Sequence, residues 1–256
     1  MSEVLLERPA PGVALISLNR PEAHNALNMA TRRLMTEHFR TVSDDMETRA
    51  VVIAGKGKNF AAGADLKEMA DKSAAEMTLL GIRRMWKVVA DCPKPVIAAV
   101  QGMALGGGCE FAMHADIIVA GEGAKFGQPE VKVGIMPGGG ATQRLVRAVG
   151  KFRAMKMMLI GEAISATEAL SMGLASEVVP DDKVLERALE IAGQIAALPP
   201  LAVQQTKEAV LLGEDSSLDA GLTLERKMFD LLFDTEDQKE GMKAFIEKRK
   251  PKFKGK

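Results

Sequence analysis

KPVIAAVQGMALGGGCEFAMHADIIVA, residues 94 to 120, carries the reading of the fold. Val96 to Val100 is a short apolar run, the pattern of a strand covered on both faces in a parallel sheet. Gly106-Gly107-Gly108 then opens a short helix, and Asp116 to Ala120 returns as another strand. Its glycines, together with Glu110, His114 and Asp116, make this stretch buried core rather than a membrane span. Toward the N-terminus, Gly12 to Asn19 is a β-rich run closed by Arg20-Pro21, and Met29 to Ser43 spaces its apolar residues as an amphipathic helix does. Ala50 to Ala54 is another buried strand, ended by Gly55, and a helix over Ala74 to Ala90 leads back to Val96. Beyond Gly138 the pattern turns helical, over Thr142 to Leu159, Thr167 to Met172, Asp182 to Ala197, Ala202 to Leu212 and Leu218 to Lys248. Almost no strand is expected between these helices, and Ser165 with Glu168 forms a capping-box signature. The alternation predicts an α/β core of parallel strands followed by a helical C-terminal region, joined near Leu198-Pro199-Pro200.

Composition narrows the function. The 256 residues carry 34 Lys+Arg against 34 Asp+Glu, so the basic footprint of a dedicated nucleic-acid binder is missing. With 47% hydrophobic residues the chain can repay the entropy of ordering, which excludes disorder. Its length suits one large domain or a domain with a small appendage, since single cores stop growing near roughly 250–300 residues. Cys92 and Cys109 build no disulfide framework, and neither stands in a metal-ligand spacing. Residues 1–7 contain Glu3 and Glu7 and no long apolar stretch, unlike a signal or transit peptide, so a cytoplasmic location is expected.

Four places break the bland pattern. Phe60-Ala61-Ala62-Gly63-Ala64-Asp65 follows a buried strand, and its small residues let a ligand approach the backbone or simply turn the chain. Gly106-Gly107-Gly108-Cys109-Glu110 places free N–H groups at a helix start, an anion site or mere clearance between helix and strand. It lacks the Lys-Ser/Thr of a phosphate loop and the spacing of a dinucleotide fold. Glu130, in Phe126-Gly127-Gln128-Pro129-Glu130, is either a solvated acid or the partner of Glu110 in acid–base chemistry. Met136-Pro137-Gly138-Gly139-Gly140-Ala141-Thr142 donates a backbone N–H or only turns the chain. His114 reads as packing, and no Gly-x-Ser-x-Gly supports a serine nucleophile. The 16 methionines suit an adaptable interior with apolar ligand contacts. The basic tail from Lys248 to Lys256 is a solvated end or a phosphate contact.

Taken together these segments resemble the crotonase superfamily, and within it most closely the enoyl-CoA hydratases. The likeness rests on Leu18-Asn19-Arg20-Pro21, Phe60 to Met69, Lys94 to Val100, Ala104 to Glu110, Phe126 to Glu130, Thr142-Gln143-Arg144-Leu145 and Ala244 to Lys250, in the family's order over nearly the whole chain. It implies a crotonase spiral of ββα units over 1–195 carrying the active site, and a helical trimerisation region over 196–256. A homotrimer or a hexamer built as a dimer of trimers follows from it. The implied reaction is reversible syn addition of water to a trans-2-enoyl-CoA, giving a 3-hydroxyacyl-CoA. The acyl-CoA is substrate, and no cofactor, metal, nucleic acid or membrane is implied.

Carried over residue by residue, the resemblance implies an oxyanion hole from the N–H groups of Ala64 and Gly107. Glu110 is the implied base that activates water and Glu130 the donor to C2, 20 positions apart, with the Gly138 N–H helping to hold the water. Ala61, Ala62, Ala64, Asp65, Leu66 and Lys67 match positions lining the CoA pocket, and Lys248 matches a contact to the adenosine phosphate from a neighbouring subunit. Glu22 stands where many relatives carry a basic residue, and Pro137 to Ala141 replaces a Pro-Gly-Ala-Gly-Gly run. A double-bond isomerase is the alternative within the superfamily. A non-catalytic RNA-binding relative is disfavoured by balanced charge and an intact pair of glutamates.

Overall fold

The computed structural model describes residues 2–256. It begins with an antiparallel hairpin of β1 (Val4–Ala10) and β2 (Val13–Leu18). Helix α1 (Met29–Asp44) follows, capped by the Asn28 side chain, which accepts from the Thr31 N–H at 2.7 Å. Next come β3 (Ala50–Gly55), α2 (Ala74–Leu79), α3 (Ile82–Ala90), β4 (Val96–Val100), β5 (Met103–Leu105) and α4 (Gly107–Ala112). The core continues through β6 (Ile117–Gly121), β7 (Lys125–Gly127), α5 (Ala141–Val149), α6 (Lys151–Ile160), β8 (Ile164–Ser165), α7 (Ala166–Met172), β9 (Glu177–Val179) and α8 (Val184–Ala196). Three helices, α9 (Pro200–Glu214), α10 (Leu218–Leu232) and α11 (Glu236–Ile246), end the chain.

The strands lie in two sheets. The first is ordered β1-β2-β3-β4-β6-β9 and is parallel apart from the hairpin; the second is β5-β7-β8. Ala61 extends the second sheet by a bridge to Ala104 in β5. Successive turns of chain therefore place a strand in the first sheet, round a corner, and run along the second. β3 leads to Ala61, β4 to β5, and β6 to β7. That stacking is the spiral the resemblance implies. The β4–β5 corner needs Gly102, whose φ is +56° and whose absent Cβ would collide with the Lys58 carbonyl.

Both faces of the first sheet are covered, which explains its near-continuous apolar strands. Val51, Ile53, Ala98 and Val100 face a core that includes Phe39, Phe60 and Phe111, whereas Val52, Ile97, Ala99 and Val119 meet Val184, Ala188 and Ile191 of α8. Phe60 stacks on Phe111 with centroids 5.7 Å apart. Burying rings like these stabilises the fold by about 1.5–3 kcal/mol each. They also anchor the loop after Phe60 and the helix containing Phe111 to one another, and these two segments build the site.

The structure departs from the sequence expectation in several places. The β1 strand was not expected, because its second half is exposed and contains Pro9, as an edge strand tolerates. One expected helix over 74–90 is two, divided at Gly81 with φ +67°, and one over 142–159 divides at Gly150 with φ +79°. The final helical stretch divides between α10 and α11. The region beyond Gly138 also holds β8 and β9, too short to leave a periodic signal, and β9 closes the edge of the first sheet. The link between α8 and α9 falls at residues 197–199. Arg49 ties it to the core and tail, donating to the Ala196 carbonyl at 3.2 Å and the Phe253 carbonyl at 3.4 Å.

Candidate active site

Each turn of the spiral delivers one functional loop as it leaves the second sheet. After Ala61 comes Ala64, after β5 come Gly107 and Glu110, and after β7 comes Glu130. Leu27 holds the first loop in place, donating to the Gly63 carbonyl at 2.7 Å and accepting from the Asp65 N–H at 3.3 Å. A Cβ on Gly107 would stand 3.5 Å from the Ala64 nitrogen, and one on Gly63 would stand 3.6 Å from the Gly107 nitrogen. The two amides are thus neighbours. Among the described residues neither donates to a protein acceptor. Gly107 is the first residue of α4, so its N–H has no partner within the helix and lies at the helix's positive end. Gly106, with φ +49° and ψ −124°, turns the chain so that β5 can run directly into that helix. A pair of unpaired, neighbouring N–H groups is suited to developing negative charge on an oxygen.

Glu110 lies one helical turn further and is only 4% exposed. Its Oε1 accepts from the N–H groups of Gly139 at 2.7 Å and Ala141 at 3.1 Å, at the start of α5. Burial pushes its pKa up, while these two amides and the charge of Arg32 pull it back. Glu130 opens a short 3₁₀ turn over Glu130–Val133 and is half-buried. Its Oε1 lies 3.0 Å from where a Gly106 Cβ would stand. Wholly buried Gln128, with its NH₂ turned toward the acid, donates to both Glu130 oxygens at 3.1 and 3.2 Å. Burial, followed by the nearby negative charge of Glu110, pushes the Glu130 carboxyl up to about 7. The two carboxyls feel one another but differ in environment. One is pinned by amides and feels the charge of a cation, and the other is poised to hold a proton at neutral pH.

The remaining sequence candidates divide. Ala61 is buried in the bridge, and the Ala62 N–H donates to the His24 carbonyl at 3.0 Å. Asp65 serves the loop itself, capping the 3₁₀ turn Leu66–Glu68 and pairing with Arg20 at 3.4 Å. Leu66 is 48% exposed, Lys67 is exposed, and both border the Ala64 loop. Gly138 has open space about it and bonds to neither glutamate; the amides of Gly139 and Ala141 hold Glu110 instead. Lys248, just beyond α11, is exposed, and within the chain no hydrogen bond or ion pair joins its side chain to the Ala61–Lys67 loop. Glu22 is exposed on the Pro21–Ala23 turn.

His114 is buried, stacked on Trp86 with centroids 4.9 Å apart, and its Nδ1 is 2.7 Å from the Glu110 main-chain oxygen. Burial and then Arg144 push its pKa down to about 4, which keeps it neutral, and its burial against Trp86 is the arrangement of a packed side chain. Burial pushes the Cys109 thiol up to about 12, so it is inert near neutral pH. Sequence reasoning missed Arg32 as a neighbour of the site. Gln128, Gly139 and Ala141 lay in segments singled out beforehand, though none of the three was given a role.

A cavity of about 930 Å³ shares Trp86, Gly139 and Gly140 with this region but contains neither glutamate. Among the described residues no group of three His, Cys, Asp or Glu side chains is placed to hold a metal ion, and no helix is long and apolar enough to cross a membrane.

Comparison with known proteins agrees with the geometry. The family model for enoyl-CoA hydratase/isomerase matches residues 8–256. The chain is 48% identical to 2,3-dehydroadipyl-CoA hydratase of Escherichia coli, over 100% of both chains. It is 44% identical to the short-chain-enoyl-CoA hydratase of Clostridium acetobutylicum, over 98% of this chain and 97% of that one. The crystal structure of an enoyl-CoA hydratase from Bacillus anthracis superposes with a TM-score of 0.96 at 38% identity, covering 99% of this chain and 100% of that one.

Proposed function

The chain belongs to the enoyl-CoA hydratase/isomerase family and is a hydro-lyase of acyl-CoA catabolism; from that premise we propose that Glu110 and Glu130 add water across a trans-2-enoyl-CoA. The observation that carries this assignment is the meeting of two unpaired amides, Ala64 and Gly107, with two carboxyls of unlike environment, one buried and one half-buried. The thioester oxygen accepts from both amides. As water attacks C3, charge flows onto that oxygen, where each donor lowers the barrier by roughly 2.7–4 kcal/mol. Glu110 takes a proton from the attacking water and Glu130 gives its proton to C2 on the same face. The product carries H and OH, and a proton passing from Glu110 to Glu130 restores the pair. Gly138 helps to hold the water.

The Ala61–Lys67 loop lines the CoA arm in this reading, with Ala61, Ala62, Asp65, Leu66 and Lys67 beside the oxyanion amides. Residues 196–256 form the contact that builds a trimer, or a hexamer from two trimers. Leu218, Leu222, Phe229 and Leu231 on α10 and Phe245 and Ile246 on α11 are exposed apolar side chains, which supports an interface there. Lys248 follows them directly, so such an interface brings it to a neighbour's CoA phosphate. A cytoplasmic location suits this substrate.

Purified protein mixed with crotonyl-CoA is expected to lose the enoyl absorbance and accumulate 3-hydroxybutyryl-CoA. Folded protein inactive on every enoyl chain length would refute the reaction. The acid–base division also predicts a pH profile. Glu130 must be protonated, so hydration falls as pH rises through about 7. Glu110 must be ionised, so hydration also falls on the acid side, and the pair gives a bell. Removing the Glu110 charge removes one cause of the upward shift at Glu130. In Glu110→Gln the carboxyl carbon-13 resonance of Glu130 should therefore titrate at lower pH than in wild type; an unchanged titration would show that the two acids do not interact.

A further inference from the structure

Arg32 sits in the inward stripe of α1, with Thr31, Met35, Thr36 and Phe39, and is only 6% exposed. Its guanidinium lies over the Trp86 ring, Cζ 5.3 Å from the centroid. One of its terminal nitrogens, Nη2, lies 3.7 Å from the point where a Gly107 Cβ would stand, beside the amide assigned to the thioester oxygen. Yet among the described residues the guanidinium makes no hydrogen bond and no ion pair. Glu110 and Glu68 act on it only through space. Its nitrogens are not among the sealed, unpartnered polar atoms either, so they keep some contact with solvent.

A buried cation without a partner is costly, and a fold keeps one where something else supplies the anion. The guanidinium has the indole ring beside it and no hydrogen-bond acceptor, and its fork of N–H donors suits a planar, bidentate carboxylate. Glu110 does not fill this place: Gly139 and Ala141 hold its Oε1, and it forms no ion pair with Arg32, acting on it only through space. The thioester oxygen, already held by two amides, would occupy one prong at most.

We infer that Arg32 binds a carboxylate at the far end of the acyl chain, so that the substrate is a short ω-carboxy-2-enoyl-CoA, the monothioester of an unsaturated dicarboxylic acid. The chain is short because the guanidinium lies close to the thioester amide, and a long chain would carry its carboxylate past it. A neutral alkyl tail of the same length leaves the cation buried and unpaired, which supplies discrimination against it. The inference rests on the hydratase reading and deepens it.

The test compares kcat/KM for trans-2,3-dehydroadipyl-CoA and trans-2-hexenoyl-CoA, which share a carbon count and differ in the terminal carboxylate. Wild type is expected to prefer the carboxylated thioester by at least about 100-fold. Arg32→Leu should raise KM for that substrate and lower its kcat/KM far more than that for hexenoyl-CoA, erasing the preference, whereas Arg32→Lys keeps part of it. Equal use of both substrates by wild type would overturn the inference. So would an equal loss of kcat on both in Arg32→Lys and Arg32→Leu, which would make Arg32 a charge acting on Glu110 or the thioester oxygen. Should Arg32→Leu fail to fold, calorimetry on wild type with saturated adipyl-CoA and hexanoyl-CoA decides, tighter adipyl-CoA binding being expected and equal binding refuting. Wild type that folds and hydrates neither substrate, nor any other enoyl-CoA, overturns the hydratase reading itself.

Discussion

Glu110→Gln and Glu130→Gln should each cut kcat for hydration by roughly 10²–10⁴-fold while the protein stays folded. The structure says why the fold survives. The carbonyl oxygen of a glutamine at 110 can accept from the Gly139 and Ala141 amides as the carboxylate does, and losing a charge at a site only 4% exposed relieves desolvation. Glu130 is half-buried and holds no ion pair, so an amide there keeps the volume without breaking a charge contact. Neither glutamine takes or delivers a proton, which is the whole of the proposed work. The double variant should cost little more than the worse single one, because the two acids act on one water as a unit. Circular dichroism melts and kcat on crotonyl-CoA give the answer together. Wild-type turnover in both single variants, with unchanged melts, would refute the acid–base pair.

Much of this site was legible because chain order carries it. In each turn of the spiral the functional residue follows a strand-forming run and a turn, so the segments stand out against their neighbours, and the resemblance then picks Ala64, Gly107, Glu110 and Glu130 from within them. The spiral itself was not legible in periodicity. β5, β7 and β8 are two or three residues long, and their pairing is set by corners such as Gly102, which local pattern does not reveal. Arg32 shows another limit. An arginine on an amphipathic helix reads as part of the solvated face, and only the packing of α1 against Trp86 turns it inward. The segment Met136 to Thr142 reads as a backbone donor or a plain turn, and which of its amides reach Glu110 depends on how α5 begins, at Ala141.

Two adjacent glycines separate chemistry from architecture, and their alanine variants should fail in opposite ways. At Gly107 a methyl would meet the Ala64 nitrogen at 3.5 Å, and Arg32 Nη2 and Leu27 Cδ1 at 3.7 Å each, all ordinary contacts. The fold therefore accepts Gly107→Ala, and alanine is the better helix former by up to about 1 kcal/mol. That methyl, however, stands against the Ala64 N–H where the thioester oxygen must approach. The loss should match that of one oxyanion donor, roughly 10²–10³-fold in kcat, with Tm unchanged or higher. At Gly108 the methyl would collide with the main-chain carbonyl of Ala61, which is buried and held by its bridge to Ala104. Backbone at that place has no room to retreat, so Gly108→Ala should lose stability by about 1–3 kcal/mol, read as a fall in Tm. Its residual activity should track the folded fraction and whatever shift the Ala64 loop suffers. Full turnover in Gly107→Ala would show that the oxygen is not held between these amides, and an unchanged Tm in Gly108→Ala would show that the first two turns of the spiral do not press together as described.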